Sequence, residues 1–258
     1  MRLTTSIGIA FAHLVLLDEA ASLPVGEEQR PLFLPDEGLS KPIPYAHYSV
    51  QSTIRDVLLE HDIISDVLDD FEPSYYLDIN YPKSHETVLL GNDLPVDAVS
   101  SRPVFTFHSI DHTYSPTRRR SQMSDSSTST LARKKPTFTL ILTDPDAKSR
   151  DDPKWSEMCH WILTNLTTPL TLPHGPRQVL EAKPGELEEY LPPGPPPKTG
   201  AHRYVFVLLE GEPSNLKPPA DRKHWGYSKP RHGVRDWAEE NGLTVVGANF
   251  FFAQNEKQ

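Results

Sequence analysis

Two segments of this chain gather residue types that bind anions or move protons. The first is Asp144-Pro145-Asp146-Ala147-Lys148-Ser149-Arg150, and the second runs from Gly194-Pro195-Pro196-Pro197 through Lys198-Thr199-Gly200-Ala201 to His202-Arg203-Tyr204. Each abuts a short apolar run, which puts carboxylates, imidazoles and a Gly/Pro hoop at strand ends, where binding sites form. His160 heads the run Trp161-Ile162-Leu163, and His202 precedes Arg203-Tyr204-Val205-Phe206. If these strands are neighbours, one aspartate and two histidines converge, and imidazole N–H groups can donate to a phosphate or carboxylate.

Plainer readings compete with that one. Residues i and i+2 of an extended chain share a face, so Asp144 and Asp146 can act together unless Pro145 bends them apart. Asp-Pro-Asp also makes an ordinary turn, with Asp146 accepting local backbone N–H groups and Ser149 and Arg150 supporting it. In that reading Arg150 is a brace on a carboxylate rather than a ligand contact. A metal centre lacks recognisable ligand spacing such as His-Glu-x-x-His, so neither metal nor cofactor is expected. A hydrolase would need an activated nucleophile. Ser149 lacks the Gly-x-Ser-x-Gly elbow, which leaves only a water activated by Asp144 and His160, and an enzyme is not expected. The proline-rich hoop between Gly194 and Gly200 is stiff enough to hold an anion at little ordering cost, though it is also a serviceable β connection. Trp155, Tyr190 and Tyr204 can supply flat walls and phenolic hydrogen bonds, and each alone is more often ordinary packing.

The elements that must position these residues read as strands. Thr137–Thr143, Trp161–Leu163, Tyr204–Leu209 and Val245–Ala253 are compact apolar stretches, preceded by strand-like segments at Tyr75–Tyr81, Thr87–Leu90 and Val104–Ile110. Between Gln51 and Leu68, apolar residues recur at helical spacing with an inflection at His61-Asp62, and Arg231–Asn241 reads as a further helix. Thr167–Glu189 and Pro192–Gly200 read as turns. Many short strands, proline-laden connections and few helices predict an all-β antiparallel sandwich with short peripheral helices.

Composition bounds the rest. The 258 residues carry 26 Lys and Arg against 35 Asp and Glu, a formal charge of −9 that argues against nucleic acid as a partner. Any anion must be held locally. The single cysteine, Cys159, excludes an intrachain disulfide. Residues 1–22 resemble a secretory signal: Met1-Arg2, an apolar stretch from Ile7 to Leu17 interrupted by His13, then Ala20-Ala21-Ser22, with Asp18 and Glu19 where such signals are usually uncharged. This points to secretion or the vacuole, with a cytoplasmic amphipathic N-terminus as the alternative. Residues 23–50 read as an extended tether, and 51–255 as one domain. Inside that domain, 111–135 is a basic Ser/Thr-rich loop containing Arg118-Arg119-Arg120 and Arg133-Lys134-Lys135. No exposed apolar stripe calls for self-association, so a monomer is expected.

Taken together, the two segments resemble the phosphatidylethanolamine-binding protein family, which includes a fungal inhibitor of carboxypeptidase Y. The resemblance rests on Asp144 to Arg150 followed by Asp152-Pro153 and His160, and on Tyr190, Gly194-Pro195-Pro196 and Gly200-Ala201-His202-Arg203-Tyr204. It extends from about Leu59 to Ala253, through Ile63-Ile64-Ser65-Asp66-Val67-Leu68 before Phe71-Glu72-Pro73, Tyr81-Pro82 and Gly91-Asn92. It implies a large antiparallel sheet against a smaller one, with a small surface cavity for phosphate-like head groups. Asp144, Trp155, His160, Tyr190, Gly194, His202 and Tyr204 would surround that cavity, Ala147 and Pro195 would complete its rim, and Asp146, Arg150 and Arg203 would support it. The implied role is a non-enzymatic binder of a phospholipid head group or similar anion, with a serine carboxypeptidase as a protein partner; a lipid or small-ligand carrier without inhibitory action is the alternative. The chain departs from the family pattern at Lys148, where proline is usual, at Met158 and Cys159, usually an aromatic and a histidine, and at Pro192, often glycine. Its short tail after Ala253, in place of a C-terminal helix, implies a more open mouth.

Overall fold

The computed structural model describes residues 50–110, 136–167, 185–212 and 215–257. The expected leader at 1–22, all but the last residue of the tether, and the basic loop at 111–135 lie outside the described residues.

Helix α1, Val50–Glu60, buries Ile54 and Leu58, one turn apart on one face. It stops where Asp62 enters the left-handed region at φ 56°, and a short turn α2, Ile63–Asp66, follows. The inflection read at His61-Asp62 is this break. Strands β1 (Tyr75–Tyr81), β2 (Glu86–Thr87) and β4 (Val104–Ser109) form a three-stranded sheet in the order β2-β1-β4. The larger sheet has six strands in the order β3-β9-β8-β5-β6-β7, comprising β3 (Asn92–Asp93), β5 (Thr137–Asp144), β6 (Met158–Thr167), β7 (Gly185–Glu188), β8 (His202–Glu210) and β9 (Thr244–Ala253). All its pairings are antiparallel except β3 on β9. Of the segment Thr87–Leu90, only Thr87 lies in a named strand, because the chain turns through Leu90-Gly91 into β3. The turn-rich reading of Thr167–Glu189 missed β7, whose Gly185-Glu186-Leu187-Glu188 carries no alternating apolar pattern.

The larger sheet is covered on both faces. Phe138, Leu140, Leu142, Tyr204, Phe206, Leu208 and Phe251 pack toward the three-stranded sheet. On the opposite face Ile141, Val205, Val207, Leu209 and Phe250 share a core with Ile54, Leu58, Ile63 and α3 (Val234–Glu240), through Val234, Trp237 and Ala238. Burial on both faces explains why the central strands read as unbroken apolar runs rather than alternating ones. A layer of helices therefore completes the sandwich.

Asn249 links the two sheets. Fully buried on β9, it donates to the carbonyls of Leu77 on β1 and Val88, at 2.9 and 3.1 Å, and accepts the Leu90 N–H at 3.0 Å. The neighbouring Gly247 makes this contact close, since a Cβ there would lie 2.7 Å from the Tyr75 carbonyl oxygen. Asn249→Ala leaves several buried backbone groups unpaired and is expected to cost about 2–3 kcal/mol. Urea denaturation checks it; an unchanged midpoint would show that the sheets are joined by apolar packing alone.

Candidate functional site

Asp144 ends β5 and His202 opens β8, and the two strands are hydrogen-bonded neighbours. Their buried side chains meet, with His202 Nδ1 2.9 Å from Asp144 Oδ2. The other carboxylate oxygen, Oδ1, accepts the Asp146 N–H at 2.7 Å, so Asp-Pro-Asp does turn, but with Asp144 rather than Asp146 as the acceptor; Asp146 Oδ2 instead accepts the distant Arg203 N–H at 2.8 Å. On its far side His202 Nε2 stands 2.9 Å from Thr199 Oγ1, which donates to the Pro196 carbonyl at 2.8 Å. A threonine hydroxyl has one proton. Once it is given to Pro196, Nε2 must donate, and His202 carries protons on both nitrogens. Burial pulls its pKa down, but the Asp144 hydrogen bond and the charges of Asp144 and Asp146 outweigh burial, and the net direction is upward.

Asp144, His202 and Thr199 thus line up as an Asp-His-hydroxyl relay, yet the protons run the wrong way for catalysis. A base must hold a free lone pair toward the hydroxyl it activates. Here the imidazole is cationic and the hydroxyl already spends its proton on a carbonyl. Ser149 gives no substitute, because its Oγ accepts the Asp152 N–H at 3.1 Å within its own turn.

Alternation along β8 sends His202 and Tyr204 to one face and Arg203 to the other. Arg203 is 1% exposed. Its guanidinium contacts both oxygens of Asp146, at 2.9 and 2.6 Å, and Asp66 at 2.9 Å, while also donating to the carbonyls of His61 and Asp62. Burial alone would lower its pKa, but Asp146 and Asp66 raise it further. Asp146 and Arg203 therefore support the site from behind. Arg150 braces elsewhere, on Asp62 at 2.7 Å, with both side chains substantially exposed.

In front of this frame is a recess of about 250 Å³, lined by Asp144, Ala147, Lys148, Trp155, Met158, His160, Leu191, Pro192, Gly194, Pro196, His202 and Tyr204. The structure thus gathers Asp144, Ala147, Trp155, His160, Gly194, His202 and Tyr204 from the residues read in the sequence. Tyr190 and Pro195 are not on its wall. Tyr190 Oη donates to the Val99 carbonyl at 2.8 Å, and its ring stands edge-on to Trp161. Pro195 turns its carbonyl to the Asn255 side-chain amide at 3.2 Å, and Pro196 takes the inner position. The tail also bonds the hoop where Lys198 N–H donates to the Lys257 carbonyl at 2.9 Å. Asn255 and Lys257, following β9, therefore hold the hoop from its outer side.

His160 differs from His202. Its Nδ1 donates to the Leu191 carbonyl at 2.8 Å, and its ring meets Tyr204 edge-on at 5.2 Å. Burial, the largest effect, lowers its pKa; Asp144 and the Leu191 bond oppose this, while Arg222 and His202 add to it. Basic residues complete the surroundings. Lys148 and Lys223 bring their ammonium groups to 4.9 and 4.5 Å from the Trp155 ring centre, and Arg222 donates to the carbonyls of Cys159 and Glu189. Cys159, one of the departures from the family pattern, belongs to the helix-side core and not to the recess wall. Lys223 and Arg222 carry no motif signal, and only their positive charge could have drawn notice; Thr199 lies inside the quoted hoop segment but is not singled out there. No group of three or more His, Cys, Asp or Glu suited to a metal occurs among the described residues.

Behind the recess Glu157 is fully buried. Its Oε2 accepts from Thr143 Oγ1 at 3.1 Å and from the Val234 N–H at 3.4 Å, whereas Oε1 has no partner among the described residues. Gly233 permits this approach, since a Cβ there would lie 2.6 Å from Glu157 Cδ. Burial pushes the carboxyl up to about 8, against the lowering effect of its hydrogen bonds.

The model for "Phosphatidylethanolamine-binding protein" matches residues 84–251. Carboxypeptidase Y inhibitor from Saccharomyces cerevisiae is 34% identical over 232 residues, covering 84% of this chain and all of the relative. A crystal structure of carboxypeptidase Y inhibitor complexed with the cognate proteinase is similar with a TM-score of 0.64 at 33% identity, covering 81% of this chain and 98% of that one. A phosphatidylethanolamine-binding protein from Plasmodium vivax shares the fold, with a TM-score of 0.57 at 18% identity, 78% of this chain and 97% of that one.

Glu157 gives a test by pH. The unfolded carboxyl ionises at its ordinary value of 4.5 and the folded one at about 8. The unfolded state therefore binds fewer protons between those values, and stability falls as pH rises through that window. Glu157→Gln removes this titration, so its stability relative to wild type should climb from about pH 5 to pH 8. Thermal unfolding at both ends measures it; a constant gap would mean that Glu157 is ionised throughout.

Proposed function

Because the chain belongs to the phosphatidylethanolamine-binding protein family, we propose that it is a non-enzymatic binder of phospholipid head groups or similar phosphate-like anions that also inhibits a serine carboxypeptidase. The observation that carries the anion reading is the recess itself: rigid hoop, cationic His202 neutralised by Asp144, and two lysines against Trp155 at one lip. An internal ion pair leaves the floor without excess negative charge, so the lip cations act on a ligand unopposed. The His202–Thr199 proton arrangement supports a binding role over turnover.

The inhibitory part is supported by the yeast relative, named as a carboxypeptidase Y inhibitor and matched over its whole length. Purified protein should inhibit carboxypeptidase Y in a peptide-hydrolysis assay, and inorganic phosphate should bind by isothermal titration. His202→Ala should weaken phosphate binding by about tenfold or more, equivalent to about 1.4 kcal/mol. Lys148→Glu, which leaves the buried pair intact, should weaken it as well. Unaltered phosphate binding in both variants would remove the pocket assignment, and absence of inhibition would leave a carrier of lipid or small ligands.

The signal-like composition of residues 1–22 supports a secretory or vacuolar location. N-terminal sequencing of protein from its native cells should find a start near Ala21 to Leu23; an intact Met1 or Arg2 would place it in the cytoplasm.

A further inference from the structure

The two imidazoles of the recess hold their protons differently, and the difference bears on which anion fits. His202 has both N–H groups committed, one to Asp144 and one to Thr199. His160 donates through Nδ1 to the Leu191 carbonyl, and a carbonyl can only accept. Its Nε2 has no partner among the described residues, while the ring lines the recess. Around it stand Asp144 from β5, His202 and the Tyr204 ring from β8, Arg222 from the irregular segment ahead of α3, and Lys148 across the recess. Asp144 is the carboxylate of this set, and its oxygens are already occupied by His202 and the Asp146 N–H. Burial, Arg222 and His202 all disfavour a further positive charge on His160. At neutral pH, Nε2 therefore presents a lone pair to the ligand.

A lone pair repels an anionic oxygen and accepts from a hydroxyl. Lys148 and Lys223, both against Trp155, supply positive charge for the oxygens that are not protonated. A phosphodiester has anionic oxygens but no P–OH. A phosphomonoester that keeps one proton has both.

We propose that the recess selects a terminal phosphomonoester in its singly protonated form, with the P–OH donating to His160 Nε2 and the charged oxygens facing Lys148 and Lys223, in preference to a phosphodiester. This rests on the anion-binding reading above and narrows its ligand. The same chemistry comes from a soluble phosphomonoester or from phosphatidic acid in a bilayer. The second phosphate ionisation lies near about pH 6, so above it the protonated fraction falls about tenfold per pH unit. Monoester binding must weaken with it. A diester has no such titration in this range.

The test uses the full chain. Isothermal titration compares sn-glycerol 3-phosphate with glycerophosphoethanolamine at about pH 7, and repeats the monoester at about pH 8.5. The monoester should bind at least about tenfold tighter than the diester and lose about tenfold or more at the higher pH. Retention on phosphatidylcholine vesicles containing phosphatidic acid, but not on those containing phosphatidylglycerol, would support the proposal with a lipid source. Monoester binding without vesicle retention would support it with a soluble source. His160→Gln, whose amide can donate where the lone pair stood, should bring the two ligands within about threefold. The pH series on the unaltered protein decides the matter even where that variant does not fold. Equal affinities for the two ligands, or monoester binding indifferent to pH, would overturn the selectivity and leave the anion site standing. Failure of the monoester, the diester and inorganic phosphate alike would overturn both.

Discussion

The site depends on a buried cation that never touches the recess. Arg203 is surrounded by Asp146, Asp66 and two backbone carbonyls, and these partners come from distant parts of the chain. Truncating one member of such a buried ionic set typically costs about 3–5 kcal/mol, because the charges left behind have no water to return to. The guanidinium's planar fork also fixes direction, which a lysine ammonium would not do. It ties the break between α1 and α2 to the loop after β5, and so holds Asp146 where Asp144 can turn inward. The positive φ at Asp62 belongs to the same arrangement, since it bends the chain so that the carbonyls of His61 and Asp62 both meet Arg203. Strand alternation then does the rest, giving Arg203 to the frame and its neighbours His202 and Tyr204 to the recess.

This division explains what could be read from the residues alone. The Asp144 and His202 segments were legible because their polar residues sit at the ends of strong apolar runs, and the pairing of β5 with β8 brings those ends together. The helical break at His61-Asp62 was legible from its disrupted periodicity. Tyr190 was misleading for a physical reason: a phenol beside a hoop looks like a wall, but its hydroxyl found a backbone acceptor at Val99 and its ring found Trp161. Pro195 and Pro196 are chemically alike, and only the tail's amide on the Pro195 carbonyl determines which one faces inward.

The stretch before α3 was opaque for a different cause. Residues 215–233 have no period of either two or 3.6, yet they deliver Arg222, Lys223 and Trp225 to the back and lip of the site. Irregular backbone of this kind is held by individual hydrogen bonds: the Cys159 N–H to the Arg222 carbonyl at 2.8 Å, the Arg231 N–H to the Ser156 carbonyl at 2.9 Å. Such bonds leave no trace in a pattern of apolar residues. Lys148 was visible as a departure from the family, but its meaning needed Lys223, which shares the Trp155 ring from far along the chain.

Three carboxyl groups near the recess are buried, and their different treatment shows how a chain with a formal charge of −9 can hold an anion. Asp146 is neutralised by Arg203 and Asp144 by the doubly protonated His202. Glu157 makes no ion pair among the described residues, and burial, outweighing the opposing Arg235 charge and its hydrogen bonds, pushes its carboxyl up to about 8. None of the three therefore projects uncompensated negative charge into the recess at neutral pH. The acidic surplus must lie elsewhere, where solvent and salt screen it within about 8–10 Å. Lys148 and Lys223 stand against Trp155 at one lip of this recess, local positive charge in a molecule of the opposite sign. Local neutralisation, rather than global charge, is what makes an acidic protein's recess hospitable to a phosphate.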